Sequence, residues 1–357
     1  MDFTREIIVW YNQHKRDLPW RKSSDPYIIW LSEIILQQTR VEQGLPYFYR
    51  FSEKYPTVSD FAMATEDEVL KLWQGLGYYS RGRNMHHTAN LVMEEHGGYF
   101  PASYDQLIKL KGIGEYTAAA ISSFASNEPK AVVDGNVFRL LARYYGIDEV
   151  INSTKGKKIF SDLANQMIDH SQPGIYNQAI MEFGSLQCRY KNPDCGVCPL
   201  RLDCVAFNTN RIDELPVKQK KQALRNRYFN YIIAVKDNNI LLHKRGPNDI
   251  WENLYEFPLF ETPGQISYEQ LINSREFQNA FGEDARISSV QGPVKHILSH
   301  QKIHAIFIEI ENFSDDLIEK QDWFYADYEA LEELAQPKLI FEFLENLFKL
   351  KSNLYPV

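Results

Sequence analysis

No run of eighteen apolar residues occurs in the 357-residue chain, so nothing in it reads as a membrane-spanning helix. Cysteine is scarce. The four present all fall between Cys188 and Cys204, and no disulfide framework can tie distant parts of the chain together. The first residues, MDFTREIIVWYNQHKRDLPW, open with an acid and contain no uninterrupted apolar stretch, so they lack the pattern of a secretory signal. A cytoplasmic protein is expected. Positive charge is also in deficit, with 39 Lys+Arg against 47 Asp+Glu and a net charge of −8. Spread evenly, that deficit would count against a nucleic-acid partner, but it is not even. Residues 1–204 hold 22 basic against 24 acidic groups, residues 205–230 hold 6 against 2, and residues 231–357 hold 11 against 21. The acid excess lies in the last third, which leaves the first two thirds able to present a DNA-binding face.

Hydrophobic content of 44% and aromatic content of 13% are those of an ordinary globular protein, and the length calls for two domains. Over residues 1–205 apolar side chains recur at helical spacing, in Ile7–Tyr11, Tyr27–Gln38, Tyr47–Phe51, Glu66–Trp73, Arg83–Glu95, Tyr104–Leu110, Tyr116–Phe124, Asn136–Tyr145, Lys157–Ile168 and Tyr176–Leu186. Gly44, Pro56, Gly75, Gly97, Gly98, Pro129, Gly146 and Pro173 mark the joins. Residues 206–227 are polar and basic and read as a solvated linker. From Tyr228 the period turns to two: YFNYIIAV, a turn at Asp237–Asn239, then ILLHKR. Further strands are expected near 287–290 and 303–310, with helices near 267–281 and 339–349. The second domain, residues 228–357, is therefore α+β.

Four constellations carry chemistry. In PYIIWLSEIILQQT, a helix with Asp25 as N-cap and Pro26 at its first position, one carboxylate, Glu33, sits inside an apolar run. Ionising it there is costly, so its pKa should rise toward that of a general acid. The plain alternative is a core glutamate paired with a Lys or Arg. In LKGIGEYTAAA, Gly112 and Gly114 flank a hairpin before a helix beginning at Glu115. Such glycines let backbone N–H groups approach an anion, which is how a helix-hairpin-helix element holds a DNA phosphate without reading bases. In AVVDGNVFRLLAR, Asp134 precedes a helix as an N-cap that backbone donors would keep ionised. A protonated Glu and an ionised Asp make the pair needed to break a glycosidic bond. Finally, Cys188, Cys195, Cys198 and Cys204 have metal-ligand spacing, which by itself leaves zinc and a 4Fe–4S cluster both open.

With LPWR, WLSEIILQQTRV, GLGYYSRGRN, LKGIGEYTA, VVDGNVFRLLAR and the cysteine spacing in that order, the chain resembles the MutY-type adenine DNA glycosylases of the helix-hairpin-helix, endonuclease III superfamily over essentially its whole length. The resemblance implies a multi-domain fold: an all-α glycosylase domain over residues 1–205, with a six-helix lobe at about 25–130 and a 4Fe–4S lobe from 1–24 plus 131–205, followed by a Nudix-like domain. It implies that Cys188, Cys195, Cys198 and Cys204 hold a 4Fe–4S cluster, that Glu33 protonates adenine at N7, that Asp134 steadies the sugar cation, and that Asn136 orders the site. Arg16, Trp20, Arg21, Leu36 and Gln178 match the adenine pocket. Gln38, Thr39, Leu76 and Tyr78 match positions that fill and wedge the duplex. Bifunctional relatives carry a Lys where this chain has Tyr116, so the resemblance implies base removal without efficient strand cleavage.

The last domain resembles Nudix hydrolases in DIWENLYEFPLFE, but Arg275–Glu276 is followed by Phe277, Gln278, Asn279 and Ala280 instead of the acids that hold magnesium. Recognition of 8-oxoguanine, through Ser299 and His300 in a Leu298-Ser299-His300 loop, is expected in place of hydrolysis. His296 and His304 read as strand histidines without a role. The implied partner is double-stranded DNA carrying adenine opposite 8-oxoguanine or guanine, bound by a monomer. The competing readings are a bifunctional pyrimidine glycosylase/lyase, a non-catalytic metal-stapled DNA-binding protein and a nucleotide pyrophosphohydrolase.

Overall fold

The computed structural model describes residues 2–219 and 223–354. It divides into two compact units, Met1–Ala64 with Asn84–Lys220, and Thr65–Arg83 with Lys221–Val357. Among the described residues no helix is long and apolar enough to cross a membrane.

The first unit is helical. Each sequence run becomes a helix whose ends are set by local chemistry. Asp25 accepts a hydrogen bond from the Tyr27 N–H at 2.9 Å and Pro26 occupies the first position, so Pro26–Ile35 starts where expected. Asn127 and Gly146 adopt left-handed φ at the ends of Glu115–Ser126 and Gly135–Tyr145. Gly44 was expected to break the chain, yet it lies within the helix Val41–Lys54, as does Pro46. A Cβ at Gly44 would stand 2.7 Å from Leu36 Cδ2, so this glycine serves close packing and not a turn. A core of Phe3, Ile7, Trp10, Leu140, Leu141, Phe160, Tyr176, Ile180 and Phe183 joins the N-terminal helix Phe3–His14 to the helices after residue 131.

The segment read as a solvated linker begins as part of this unit. Leu215 is only 2% exposed, Ile212 and Val217 pack on the same core, and the Ile151 N–H donates to the Val217 carbonyl at 3.0 Å. Three apolar side chains hidden among charges suffice to dock it.

In the second unit β1 (Arg225–Lys236) is central. It pairs antiparallel with β2 (Asn239–Lys244), β2 in turn with β3 (Tyr255–Glu256), and β1 also with β4 (Leu259–Thr262). β5 (Arg286–Ile297) pairs antiparallel with β6 (Gln301–Glu311), which runs parallel to β1. β7 (Trp323–Ala326) closes on β2. The β1–β2 turn holds Asp237 and Asn238 at φ 49° and 62°, a two-residue primed turn of the kind those residue types favour. The expected helix at 267–281 is two helices, Tyr268–Ile272 and Arg275–Phe281, because Ser267 and Ser274 each cap a new start.

Thr65–Arg83, placed by its sequence pattern in the helical domain, packs with the sheet unit. Lys244 Nζ donates to Asp67 Oδ1 at 2.7 Å, Tyr255 OH to Asp67 Oδ2 at 3.0 Å, and Tyr79 OH to the Gln336 carbonyl at 3.0 Å.

Candidate active site

A cleft of about 880 Å³ opens in the helical unit, and Glu33, Tyr116, Asp134 and Asn136 all line it. The helix Pro26–Ile35 buries Ile29, Trp30, Leu31, Ile34 and Ile35 and turns only Glu33 toward the cleft. Burial raises the Glu33 carboxyl to about 7. A hydrogen bond from Tyr116 opposes the rise, the negative charge of Asp134 adds to it, and Arg21 opposes it weakly. The Tyr116 phenol, first residue but one of the hairpin helix Glu115–Ser126, also lies 3.3 Å from Met181 Sδ. Burial, and after it the negative charge of Glu33, holds that phenol well above its ordinary range.

Asp134 is placed differently. As N-cap of Gly135–Tyr145 it accepts from the Asn136 N–H at 2.9 Å, the Val137 N–H at 2.8 Å and Asn136 Nδ2 at 2.8 Å. Burial raises its pKa; the Val137 and Asn136 donors, and then Arg139, pull it back. Three donors on Asp134 against one phenol on Glu33 fix the order of ionisation: Asp134 loses its proton first. Asn136 is itself held by Arg139, whose Nη2 donates to Asn136 Oδ1 at 2.9 Å and whose Nε donates to the Cys188 carbonyl at 2.8 Å.

Of the expected adenine-pocket residues, Arg16, Trp20, Arg21 and Leu36 line the cleft. Gln178 does not; its Oε1 accepts from Tyr11 OH at 2.6 Å. One residue the sequence reading passed over belongs here. Glu182, 1% exposed, accepts from Arg16 Nε at 3.0 Å and Nη2 at 2.6 Å, and from Arg21 Nη1 at 3.1 Å and Nη2 at 2.9 Å. Burial alone would raise its pKa, but Arg16 and Arg21 outweigh that and hold it at about 2. It was detectable as the single acid of an apolar helix, Pro173–Leu186, by the same signal that singled out Glu33. The two have opposite fates: Glu182 is the paired core glutamate, and Glu33 has no cation bonded to it among the described residues. Because the Glu182 pKa is depressed, its contribution to stability is complete above the ordinary value of 4.5 and lost as pH falls toward 2. At 1.36 kcal/mol per pH unit this is on the order of 3 kcal/mol. Unfolding experiments on the Glu182→Gln variant are expected to show weaker acid sensitivity than the wild type between pH 5 and pH 2, from a lower starting stability at pH 7.

Gln38 and Thr39 line the same cleft, Gln38 at φ 55°. Gly112 has φ +80°, and a Cβ there would meet Asn84 Cβ at 2.9 Å. Gly114 caps the hairpin helix without a side-chain hydrogen bond, as an anion-holding hairpin requires. In the second unit Leu76 is buried, 6% exposed, while Tyr78 is 46% exposed with φ 48°. Of Leu76 and Tyr78, expected with Gln38 and Thr39 to fill and wedge the duplex, only Tyr78 is exposed. Ser299 and His300 sit at the tip of the β5–β6 hairpin and line a cleft of about 550 Å³ together with Tyr78. His304 stacks on Tyr228 and bonds Asn226, and His296 lies against Trp251. Arg275 and Glu276 are exposed on their short helix.

The four cysteines line one small cavity of about 30 Å³ with Leu140, Arg143 and Tyr144. Burial pushes the Cys198 thiol up to about 12, and Cys188, Cys195 and Cys204 push it the same way. Arg143 Nη1 donates to Cys188 Sγ at 3.6 Å and to the Arg189 carbonyl at 2.7 Å. A soft, all-thiol donor set with a buried guanidinium beside it suits an anionic metal–sulfur centre. Among the described residues no three Cys, His, Asp or Glu side chains are gathered so as to hold a single metal ion.

Residues 31–166 match the HhH-GPD superfamily of base excision DNA repair proteins, and residues 230–346 match the NUDIX domain. The chain is 32% identical to the adenine DNA glycosylase of Buchnera aphidicola subsp. Schizaphis graminum over 350 residues, covering 97% of this chain and 99% of that one. It is 42% identical to the adenine DNA glycosylase of Rattus norvegicus over 226 residues, 60% of this chain and 44% of that one. Among solved structures, a thermostable thymine-DNA glycosylase aligns with a TM-score of 0.54 at 27% identity, covering 58% of this chain and 95% of that one. The protein is a DNA glycosylase and belongs to the adenine DNA glycosylase family.

Proposed function

We propose that this enzyme removes adenine mispaired with 8-oxoguanine or guanine from double-stranded DNA by hydrolysis. The observation that carries the reading is the pair Glu33 and Asp134, facing one cleft from unlike surroundings. Neither N7 nor the glycosidic carbon of a stacked adenine can be enclosed, so the nucleotide must be flipped out, and a cleft of about 880 Å³ has room for it. Glu33, protonated near neutral pH, gives its proton to N7. The C1′–N9 bond then breaks with its electron pair going to adenine. Asp134, ionised, stabilises the sugar cation left behind. Water adds to C1′ and gives a proton back to the Glu33 carboxylate. The opposite base is read by the second unit at Ser299 and His300, with Tyr78 filling the duplex.

Tyr116 supplies a phenol where a lyase needs an amine, so no Schiff base forms. Treatment with borohydride is accordingly expected to trap no covalent enzyme–DNA adduct, and strands are expected to remain whole until base is added; trapping at a level comparable to adenine release would favour the bifunctional reading. Cys188, Cys195, Cys198 and Cys204 would hold a 4Fe–4S cluster, which supplies a structural staple for the 188–204 loop when bound; visible absorbance and iron content of the purified protein test this against zinc. The pH profile of single-turnover excision carries a further expectation. With the donor at about 7, the rate should fall about tenfold per pH unit well above pH 7, and at acid pH it should fall again as Asp134 is protonated. A rate that stays level from pH 6 to pH 9 would remove Glu33 from the acid role. The central test is adenine release from duplexes carrying guanine, 8-oxoguanine or thymine opposite. Release with the first two, fastest for 8-oxoguanine, is expected; turnover of none of them would leave a DNA-binding protein.

A further inference from the structure

The cleft of the second unit has three walls. One is the β5–β6 tip with Ser299 and His300, the second is the loop from Asn248 to Trp251, and the third runs from Gly77 to Arg83 and includes Tyr78. The second wall is strained and clamped. Asn248, Trp251 and Asn253 have φ of 68°, 60° and 63°. Asparagine tolerates that region, but a bulky Trp does so only where the surroundings force it. The forcing groups are visible. Asp249 Oδ1 and Oδ2 accept from Arg227 Nη1 and Nη2, both at 2.7 Å, and Oδ2 also from Arg245 Nη2 at 2.6 Å. Arg227, 6% exposed, is anchored in turn on Glu261, and Arg245 on the fully buried Glu256. Arg245 Nε donates to the Ile250 carbonyl at 2.9 Å, and Arg83 Nη1 to the Glu252 carbonyl at 2.9 Å. Three residues of one short loop are thus tied to a buried network. Asn248 is left exposed on the cleft, and its amide has no partner among the described residues.

We propose that this loop determines specificity for the oxidised purine, with Asn248 as the contacting residue and Asp249 as a positioning residue. The inference rests on the reading of the protein as an enzyme that acts opposite 8-oxoguanine, and deepens it. Oxidation changes two adjacent atoms of guanine: N7 gains a hydrogen and becomes a donor, and C8 gains a carbonyl and becomes an acceptor. A carboxamide carries an acceptor and a donor side by side, so its oxygen accepts from N7–H while its NH₂ donates to O8. Against guanine the same amide finds a bare N7 and a C8–H, and at most one bond survives. Preorganisation is what the strain and the arginines provide: the amide is presented without the cost of ordering a free loop.

The experiment compares single-turnover excision and duplex affinity for adenine opposite 8-oxoguanine and adenine opposite guanine, in wild type, Asn248→Ala and Asp249→Asn. Loss of a two-point contact should lower the 8-oxoguanine-to-guanine preference by about tenfold or more in Asn248→Ala. Asp249→Asn keeps the side-chain shape but weakens the arginine clamp, and should lower the preference in the same direction. A preference unchanged in both variants, or rates that fall in parallel on both duplexes, would overturn the inference. Asn248 is exposed, so its variant tests the idea even if Asp249→Asn folds poorly. A wild-type enzyme that released adenine equally from both duplexes would also overturn the inference, whereas one that released adenine from neither would overturn the functional reading beneath it.

Discussion

Glu33→Gln is expected to bind a mispaired duplex as tightly as the wild type and to release adenine slower by about 10²–10⁴-fold, the usual worth of a positioned general acid. Glutamine has the volume of glutamic acid and offers its carbonyl to the Tyr116 phenol, so the cleft keeps its shape. What it lacks is a proton that can be transferred, since an amide N–H is far too weak an acid. Adenine leaving as an unprotonated anion is a poor leaving group, so the loss should fall on the chemical step and leave binding untouched. Stability should move the other way. The Glu33 pKa is raised in the folded protein, so the stability this residue allows is complete below its ordinary value and declines as pH rises toward about 7. A neutral amide escapes that decline, and thermal unfolding at pH 8 should find the variant at least as stable as the wild type. Inactivity together with retained or increased stability is the signature of a group kept for chemistry at the expense of the fold. A normal excision rate in single turnover would exclude Glu33 as the acid.

That result bears on how much of the site could be read before the fold was seen. Glu33 and Glu182 present the same pattern, one acid in an apolar helix, and no local rule separates them. The cations that neutralise Glu182 come from Arg16 and Arg21, more than 160 residues away in sequence, and only the packing of the first helices against the last brings them together. Asp134 was legible as a cap because capping is local, as were the starts of Pro26–Ile35 and Gly135–Tyr145. The β1–β2 turn was legible for the same reason. β3, β4 and β7 were not, being two to four residues long with partners chosen by the sheet. Nor was the association of Thr65–Arg83 with the sheet unit, which depends on Asp67 meeting Lys244 and Tyr255. The resemblance places Leu76 beside Tyr78 among the residues that fill and wedge the duplex; in the fold Leu76 is buried and Tyr78 is the exposed one.

Asp134→Asn separates the two roles that Asp134 combines. As a helix cap, Asn serves about as well as Asp: its side-chain oxygen can still accept from the Asn136 and Val137 N–H groups, which now bond Asp134 Oδ1 at 2.9 and 2.8 Å. The bond that Asn136 Nδ2 now donates to Oδ2 at 2.8 Å is lost, because Asn136 Oδ1 is held by Arg139 Nη2 at 2.9 Å and cannot turn toward the new NH₂, but the two backbone bonds of the cap remain. The fold should therefore persist, and with it the Glu33 acid, whose pKa should fall because the neighbouring negative charge that raised it is gone. What disappears is the anion facing the sugar. An oxocarbenium ion in a cleft of low dielectric loses its fixed counter-charge, and excision should slow by about 10²–10³-fold, the range for removing one preorganised electrostatic partner of a transition state. The measurement that isolates this is single-turnover excision set beside thermal unfolding and duplex affinity. A large rate loss with the other two unchanged assigns the effect to charge, whereas unfolding of the variant, or an undiminished rate, would leave Asp134 as a cap and nothing more. Low pH should mimic the substitution, since protonating Asp134 removes the same charge. The acid limb of the wild-type pH profile should therefore be missing in Asp134→Asn, while the alkaline limb, which belongs to Glu33, remains and moves to lower pH.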